Sequence, residues 1–438
     1  MVSLFSQRGV QWQVPTVEEL KGWIFKDVMK EMKERLNEVR RSWAETGCSI
    51  LLDGWTDANG RTLVNVLVDC PKSTVYLFLA DITDCVGNMD AMQIFLVKVL
   101  AEVGIPNVVQ IITYSSSDFM KEAGRQLMER YRPVFWTVSA SHCIELMLEK
   151  LCRVDLINKT LEKAKIITRF VHSHSIALKY LQDQTKGSGL IDTSMIRSIR
   201  PFLILENIEK KKETLNTMFS PSHSQSSILI STMEGRRAAE LVGDHSFWNE
   251  ASTILKGTMP LVRVIEWMNK SGKDHMGLIY ETIDQAKETI KDCFKNKSAY
   301  SLFWKTIDYV WNESLYSPVH SAGYYLNPNL LYSSNGLIDP ELIGLLPRWS
   351  ITVTELPKVP WLPESLKSKD RTFLLFQLSR SLAETLLFKG RNLDEQKWLR
   401  DMVFLRYTMQ LQNFVPGNVV SNEPGLVDDW LADRNNVP

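Results

Sequence analysis

The sequence predicts an α/β protein in which a mixed β-sheet, covered by helices on both faces, is interrupted by a large all-helical insertion. Three β-type runs lie close together near the N-terminus, and two further apolar runs alternate with segments whose apolar residues recur at helical spacing. From about residue 155 to 320 only the helical spacing recurs. These observations separate a sheet-forming region from a helical one.

A long amphipathic helix is predicted for residues 16–45, where apolar residues recur at helical spacing. Thr16 is followed three residues later by Glu19, which is the spacing of a capping box. In that motif each side chain accepts a hydrogen bond from the main-chain N–H of the other residue. We therefore expect the helix to begin at Thr16.

Eight elements are predicted after this helix. The strands at 48–55, 61–70 and 73–82 are joined by the short turns DANG and PK, which suit antiparallel neighbours. The remaining elements are a helix at 88–103, a strand at 107–114, a helix at 117–131, a strand at 133–139 and a helix at 141–154. The order β-β-β-α-β-α-β-α is the topology of the ribonuclease H-like fold.

Charge and cysteine content restrict the function classes. Lys and Arg together number 51, as do Asp and Glu, so bulk charge does not favour binding to nucleic acid or anionic membrane. The six cysteines form no CxxC motif, which argues against a disulfide framework and a closed zinc site. No apolar run is long enough for a membrane span, and no secretory signal is recognisable. We expect a soluble intracellular protein in a reducing compartment.

Five segments are predicted along the chain. They are an N-terminal helical segment (1–46), a ribonuclease H-like core (47–194), a helical insertion (195–370), C-terminal helices that complete the core (371–413) and a mobile tail (414–438). The tail is predicted because its sequence is polar and interrupted by Gly and Pro.

Several blocks of the sequence closely resemble the hAT superfamily of transposases, in its plant branch. The first two are GCSILLDGWTD (47–57) and PVFWTVSASHCIELMLEKL (133–151). Further similar blocks follow in the same order: AKIITRFVHSH (164–174), MGLIYETIDQAKETI (276–290), SPVHSAGYYLNPNLLY (317–332) and KWLRDMVFLRYTMQLQ (397–412). The resemblance implies a ribonuclease H-like core interrupted by a helical insertion, and a nuclear location.

Catalytic carboxylates are the first feature that the resemblance lets us locate. Nucleases of this fold use two divalent metal ions held by acidic side chains. The first position matches Asp53, which is either a remnant metal ligand or a carboxylate that caps a turn or pairs with an Arg. The second position matches Tyr114, whose phenol ligates Mg²⁺ poorly because its ordinary pKa is about 10. Asp118, nearby, is interpreted as a helix N-terminal carboxylate.

The third catalytic position is expected to be absent. The family's Glu-bearing segment would lie between about Ser379 and Arg391, but LSRSLAETLLFKGRN is too short for it. Glu384 matches a different acidic position and is interpreted as a solvated helix carboxylate. With two carboxylates lost, we expect no two-metal site.

Two further family positions are altered. His142 matches a family His that follows a Cys three residues earlier, but the earlier position is Ser139 here. Arg197 matches a family Arg that an aromatic residue follows, but Ser198 follows it here. We interpret His142 as a hydrogen-bonded core residue.

The C-terminal helix is a candidate dimerisation surface, because the family uses this region for dimers. Its apolar residues are Met402, Val403, Leu405, Met409 and Leu411. The alternative is that the same residues pack inside one chain.

The expected function is that of a transposase-derived protein that is not an enzyme and acts through nuclear DNA association, protein interaction or dimerisation. One alternative is an active DNA-cutting transposase with two-metal chemistry, and another is a structural interaction protein without DNA contact. No cofactor is expected, and Mg²⁺ is expected only with residual nuclease activity. Possible partners are DNA, a second copy or another protein, but not a membrane. The family's N-terminal zinc finger is not expected in this chain.

Overall fold

The predicted fold class is confirmed by the structure, a computed structural model. The structure describes residues 15–132, 134–185, 190, 197–220, 226–270, 278–317, 320 and 393–413. Within these residues a five-stranded mixed sheet is accompanied by helices on both faces and by a separate helical region.

The N-terminal helix has the predicted capping box. The Thr16 N–H donates to Glu19 Oε2 at 2.9 Å, and the Glu19 N–H donates to Thr16 Oγ1 at 3.2 Å. A first turn at Val17–Glu19 leads through a π-helical segment at Leu20–Ile24, kinked at Gly22, into helix α1 at Phe25–Thr46. Gly47 ends this helix with a φ of +64°, a conformation that glycine adopts without steric cost.

The sheet has the strand order β3-β2-β1-β4-β5. Its elements are β1 (Cys48–Thr56), β2 (Thr62–Asp69), β3 (Thr74–Asp81), α2 (Met89–Val103), β4 (Val108–Thr113), α3 (Asp118–Arg130), β5 (Phe135–Val138) and α4 (Ala140–Cys152), with short 3₁₀ turns at Thr83–Cys85 and Ile105–Asn107. The first three strands are antiparallel, whereas β4 and β5 run parallel to β1. This is the ribonuclease H-like arrangement.

The two faces of the sheet pack against different helices, because strand residues alternate between faces. On one face Ile50, Leu52 and Val66 pack with Trp43 of α1 and with helices α2 and α3. On the other face Leu51, Trp55, Leu63, Leu67 and Tyr76 pack with Val403 and Tyr407 of the C-terminal helix. That helix, α14, spans Leu393–Asn413. The alternation therefore decides which side chains of β1 meet α14.

A second hydrophobic core holds the helical region together. It extends from Val138, at the end of β5, to Leu315. Its helices are α5 (Asp155–Ser173), α6 (Ser175–Gln184), α7 (Arg200–Lys210), α8 (Lys212–Phe219), α9 (Ser226–Leu229), α10 (Met233–Gly243), α11 (His245–Lys270), α12 (Ile279–Asp292) and α13 (Lys297–Val310), followed by a π-helical turn at Trp311–Leu315. The helical region thus separates the five strands from α14 in sequence, although α14 packs on β3 and α1.

The predicted segment boundaries stay predictions. Residues 414–438, where a tail is predicted, lie outside the described residues, as does the whole 321–392 stretch before α14. All six cysteines are free thiols, and burial raises the pKa of Cys152 to about 12. None of the described helices is long and apolar enough to cross a membrane.

His320 is expected to make folding stability depend on pH. Its ring is buried, and its Nδ1 lies 2.9 Å from the Leu315 carbonyl oxygen. Burial lowers the pKa of His320 from 6.5 to about 4, although the hydrogen bond to Leu315 opposes the shift. The unfolded chain therefore binds more protons between these two values. Stability should fall as pH drops below 6.5, by about 2 kcal/mol at pH 5 from this group.

Urea unfolding of the wild type and of His320→Gln at pH 7 and pH 5 measures this contribution. The variant should lose less stability between the two pH values than the wild type does, because its amide does not titrate. Equal losses in the two proteins would contradict the assignment.

Candidate functional site at Asp53

Asp53 lies on β1, on the sheet face that α14 covers. Its side chain lies between those of Leu51 and Trp55 on the same face, and the residue is only 2% exposed. Directly opposite it on β2 is Asn65, which is fully buried. An ionised carboxylate in such a place needs hydrogen-bond donors, because burial without them costs several kcal/mol.

Asn65 supplies a donor and links the sheet to the C-terminal helix. Its Nδ2 donates to Asp53 Oδ2 at 3.3 Å and to the Tyr407 hydroxyl at 3.0 Å. The Tyr407 ring in turn stacks on Tyr76 of β3, with ring centroids 4.5 Å apart. Side chains from β1, β2, β3 and α14 therefore form one buried group, which we call the Asp53 cluster (Asp53, Asn65, Tyr76 and Tyr407).

Tyr114 does not lie with Asp53 on that face. It follows β4, and its ring occupies the space where a side chain at Gly54 would begin, with a Cβ there only 2.3 Å from the ring. Because successive strand residues point to opposite faces, the ring lies on the side of β1 away from the Asp53 carboxylate. Burial raises the pKa of Tyr114, and the negative charge of Asp53 raises it further. The phenol is therefore protonated at neutral pH.

Asp57, the second acidic residue of the GCSILLDGWTD block, closes the β1–β2 hairpin. Its Oδ1 accepts from the main-chain N–H groups of Asn59 and Arg61, and its Oδ2 accepts from Arg61 Nε, all at 2.9 Å. Burial acts to raise the pKa of Asp57, but the hydrogen bonds from Arg61 and Asn59 and the Arg61 charge together hold it below its ordinary value. Asp57 therefore caps this turn and pairs with Arg61.

The other predicted positions lie apart from this group. Asp118 is the first residue of α3, fully exposed, with Lys121 Nζ 3.9 Å away, which matches the interpretation as a helix N-terminal carboxylate. Ser139 caps α4 by accepting from the His142 N–H at 3.5 Å, and burial lowers the pKa of His142. Arg197 is exposed just before α7. Glu384 and the 379–391 segment lie outside the described residues.

Among the described residues, the side chains that meet Asp53 are not the ligand set that two divalent ions require. Mg²⁺ requires hard oxygen ligands, mainly carboxylates and water, whereas the neighbours here are an amide that donates to Asp53 and a protonated phenol on the opposite face. Across the described ranges, no three His, Cys, Asp or Glu side chains are grouped so that they could hold a metal ion.

The residues predicted for dimerisation divide between interior and surface. Val403 and Leu411 pack with the α14-facing side of the sheet, and Leu405 packs with Met29 and Met32 of α1. Met409 is 43% exposed, and Met402 is half-buried. Packing inside one chain accounts for three of the five residues, and dimerisation itself stays a prediction.

Sequence reasoning missed Asn65, Tyr76 and Tyr407. Asn65 is the one amide in the apolar run TLVNVLVD of β2, and a polar residue on a core-facing position is a signal that could have drawn attention to it. Tyr407 is separated from Asn65 by 342 residues. Nothing in its local sequence indicates that its hydroxyl meets β2.

Comparison with known proteins gives one family match. Residues 15–167 match a family model described as a domain of unknown function (DUF659). This region contains α1, all five strands and α4, and therefore both Asp53 and Tyr114. No protein with a curated description matches the chain.

Gly54→Ala tests the position of Tyr114. The new methyl group collides with the Tyr114 ring, so the substitution should destabilise the protein by about 1–3 kcal/mol. Gly54→Ala combined with Tyr114→Ala should cost less than the sum of the two single changes, because the second substitution removes the collision. Chemical denaturation of the four proteins in this cycle measures the coupling.

Gly243→Ala is the matched control, because a Cβ at Gly243 meets nothing within 4 Å. It should change stability by no more than about 0.5 kcal/mol. Additive effects of Gly54→Ala and Tyr114→Ala would show that the ring does not lie against Gly54.

Proposed function

We propose that the chain is derived from a hAT-type transposase and that it retains the ribonuclease H-like fold as a binding scaffold without cutting DNA. The sequence blocks that resemble this superfamily lie along most of the chain, and the strand order agrees with the fold that the resemblance implies. The observation that supports the loss of cleavage concerns Tyr114, which stands at the position of the family's second carboxylate. Its ring packs against Gly54.

The Asp53 cluster supports a structural role for the retained carboxylate. Asp53 accepts a hydrogen bond from Asn65, and the same amide bonds Tyr407 of the C-terminal helix. A nuclease needs its carboxylates to face a solvent-accessible groove in which DNA and metal ions meet, whereas Asp53 is 2% exposed beneath α14. A buried, hydrogen-bonded carboxylate of this kind stabilises the contact between sheet and helix.

Binding is the activity that we propose for this scaffold, in the nucleus and with DNA or protein as partner. The nuclear location and the DNA association rest on the resemblance to the transposases. A structural interaction protein without DNA contact is the second candidate, and the balanced charge of 51 basic and 51 acidic residues favours it.

Metal binding separates the proposal from an active nuclease. Calorimetric titration with Mg²⁺ and with Mn²⁺ should give the same weak heats for the wild type and for Asp53→Asn, because Asp53 is already hydrogen-bonded and no group of acidic side chains suited to a metal ion is found among the described residues. Asp118→Asn, which removes an exposed carboxylate, is the matched control for surface binding. Binding of two ions by the wild type, with loss of both in Asp53→Asn, would overturn the proposal.

Salt dependence separates DNA association from the second candidate. Fluorescence anisotropy with a labelled short duplex of random sequence should show binding at low salt that weakens steeply between about 50 and 200 mM, because phosphate neutralisation releases counterions. Asp53→Asn should bind this duplex as the wild type does. No saturable binding at low salt would favour the structural interaction protein.

A further inference from the structure

The outer strand of the sheet, β3, is open on one side. In the described part of the chain β3 pairs only with β2, and it forms one edge of the sheet. Its sequence TVYLFLAD contains neither Lys nor Pro, the residues with which proteins commonly protect an edge strand against further pairing. An edge of this composition is able to accept another strand.

The register shows which main-chain groups face outwards near the end of β3. The Ile82 N–H donates to the Thr62 carbonyl at 2.8 Å, and bonded pairs recur at every second residue of an antiparallel ladder. Ala80 therefore bonds to β2, whereas Leu79, opposite Asn65, occupies a non-bonded position. The N–H and C=O of Leu79 point away from β2, towards the open edge.

The same reasoning applies at the start of β3. The Cys70 N–H donates to the Ser73 carbonyl at 3.3 Å, so Val75 is a bonded position and Tyr76 is not. The register shifts at Leu77, where β3 has one extra residue. This bulge keeps Tyr76 and Leu79 on the same face and gives both of them main-chain groups directed outwards.

A cleft runs along this edge between two helices. Its volume is about 270 Å³, and consecutive residues Tyr76, Leu77, Phe78 and Leu79 of β3 line it. One wall comes from α1 and the other from α14; the wall residues are Met29, Lys33, Leu36, Arg400, Asp401, Val403 and Phe404. The volume is smaller than that of most small-molecule pockets, which is roughly 300–1,000 Å³. The shape is instead that of a narrow slot beside an edge strand.

Charged side chains at the cleft give it a net positive charge. Lys33 of α1 and Arg400 of α14 are exposed, and Asp401 is half-buried. In the described part of the chain, none of these three residues takes part in an ion pair within 4.0 Å. Two cations face one anion, so the cleft favours a partner with negative charge beside its apolar residues.

We infer that this cleft binds an extended, acidic and apolar peptide segment of a protein partner, which adds as a sixth strand to β3. The half-buried Leu79 would supply the main-chain groups that bond the added strand, whereas Tyr76, only 2% exposed, lies at the floor of the slot. The apolar side chains of the added strand would enter the slot, and its carboxylates would face Lys33 and Arg400. Strand addition to a sheet edge is a general mode of peptide recognition, in which the main chain supplies affinity and the alternate side chains supply specificity.

The geometry favours a single peptide over a second copy of this chain. Helices α1 and α14 wall the edge on both sides and meet where Met29 and Met32 pack with Leu405, so a second β3 would bring its own α1 and α14 against them. A second copy would also place like charges together, because each Lys33 and Arg400 would meet its counterparts across a two-fold axis. The inference concerns a surface away from the buried Asp53 carboxylate and does not depend on whether the protein cuts DNA.

Fluorescence anisotropy with the labelled probe peptide STVEIEVTSG tests the inference on the full chain. The wild type should bind the probe with saturation. A twin probe that carries N-methyl groups on its central amides keeps the side chains but cannot pair with β3, and it should bind at least about tenfold more weakly. Lys33→Glu combined with Arg400→Glu should weaken binding of the parent probe by about tenfold or more.

Arg236→Glu combined with Lys305→Glu is the matched control, because both residues are exposed cations on helices of the other core and the change in net charge is the same. It should leave probe affinity unchanged. Leu79→Pro removes an outward N–H that does not bond β2, so it should abolish binding while circular dichroism stays native. Amide exchange at Leu79 should slow when the probe binds.

Three results would overturn the inference. The first is equal affinity for the parent and the N-methylated probe, and the second is equal weakening by the two charge-reversed proteins. The third is a dimer in sedimentation that Leu79→Pro dissociates, since the edge would then be occupied by a second copy.

Discussion

The buried amide of Asn65 holds together parts of the chain that are distant in sequence. It lies opposite Asp53 on the sheet and reaches the Tyr407 hydroxyl, 342 residues away, on the last described helix. A buried carboxylate and a buried amide donor are costly without hydrogen bonds, so the two bonds from the Asn65 amide nitrogen favour one docking register of the sheet and α14. The Asn65 Oδ1 and the Tyr76 hydroxyl of the same cluster are buried without a hydrogen-bond partner among the described residues. The stacking of Tyr407 on Tyr76 extends the same constraint to β3.

The hydrogen bond to Asn65 gives Asp53 a structural role that does not depend on catalysis. A carboxylate that serves a nuclease must remain accessible to ions and to substrate. Asp53 instead lies beneath α14, and its neighbour Asn65 is hydrogen-bonded to Tyr407 of that helix. The ring of Tyr114 packs on the other side of the strand, against Gly54. Both observations support a scaffold in which an acidic position has been kept for packing between sheet and helix.

The sequence predicted the secondary structure of the sheet region closely, and for identifiable reasons. Local residues mark where these elements end: short polar turns bound the strands, and Gly104 follows the last residue of α2. The predicted bounds lie within two residues of those in the structure. The resemblance to the transposases singled out Tyr114 as a position of interest, although nothing in the sequence placed its ring against Gly54.

Long-range polar contacts could not be predicted in the same way. Nothing near Asn65 in the sequence indicates its partner. Its contact with the Tyr407 hydroxyl exists because α14, which follows the helical region in sequence, packs on the sheet. The apolar residues of α14 were read as a candidate dimer surface, since a helical spacing of apolar residues does not distinguish an intramolecular from an intermolecular neighbour. Val403 and Leu405 in fact pack within the chain.

If the proposed binding role is correct, the surface that performs it should combine unpaired main-chain groups with uncompensated charge. The Asp53 cluster does not meet this condition, because the Asp53 carboxylate and the Tyr407 hydroxyl accept hydrogen bonds from inside the chain. The edge of β3 does meet it, since Tyr76 and Leu79 direct main-chain groups outwards beside Lys33 and Arg400. Helix α14 connects the two places: Tyr407 on one of its faces joins the buried cluster, and neighbouring side chains such as Arg400 and Phe404 form a wall of the cleft. Docking of α14 therefore covers the face of the sheet that carries Asp53 and, by the same contact, shapes the edge of β3 beside it.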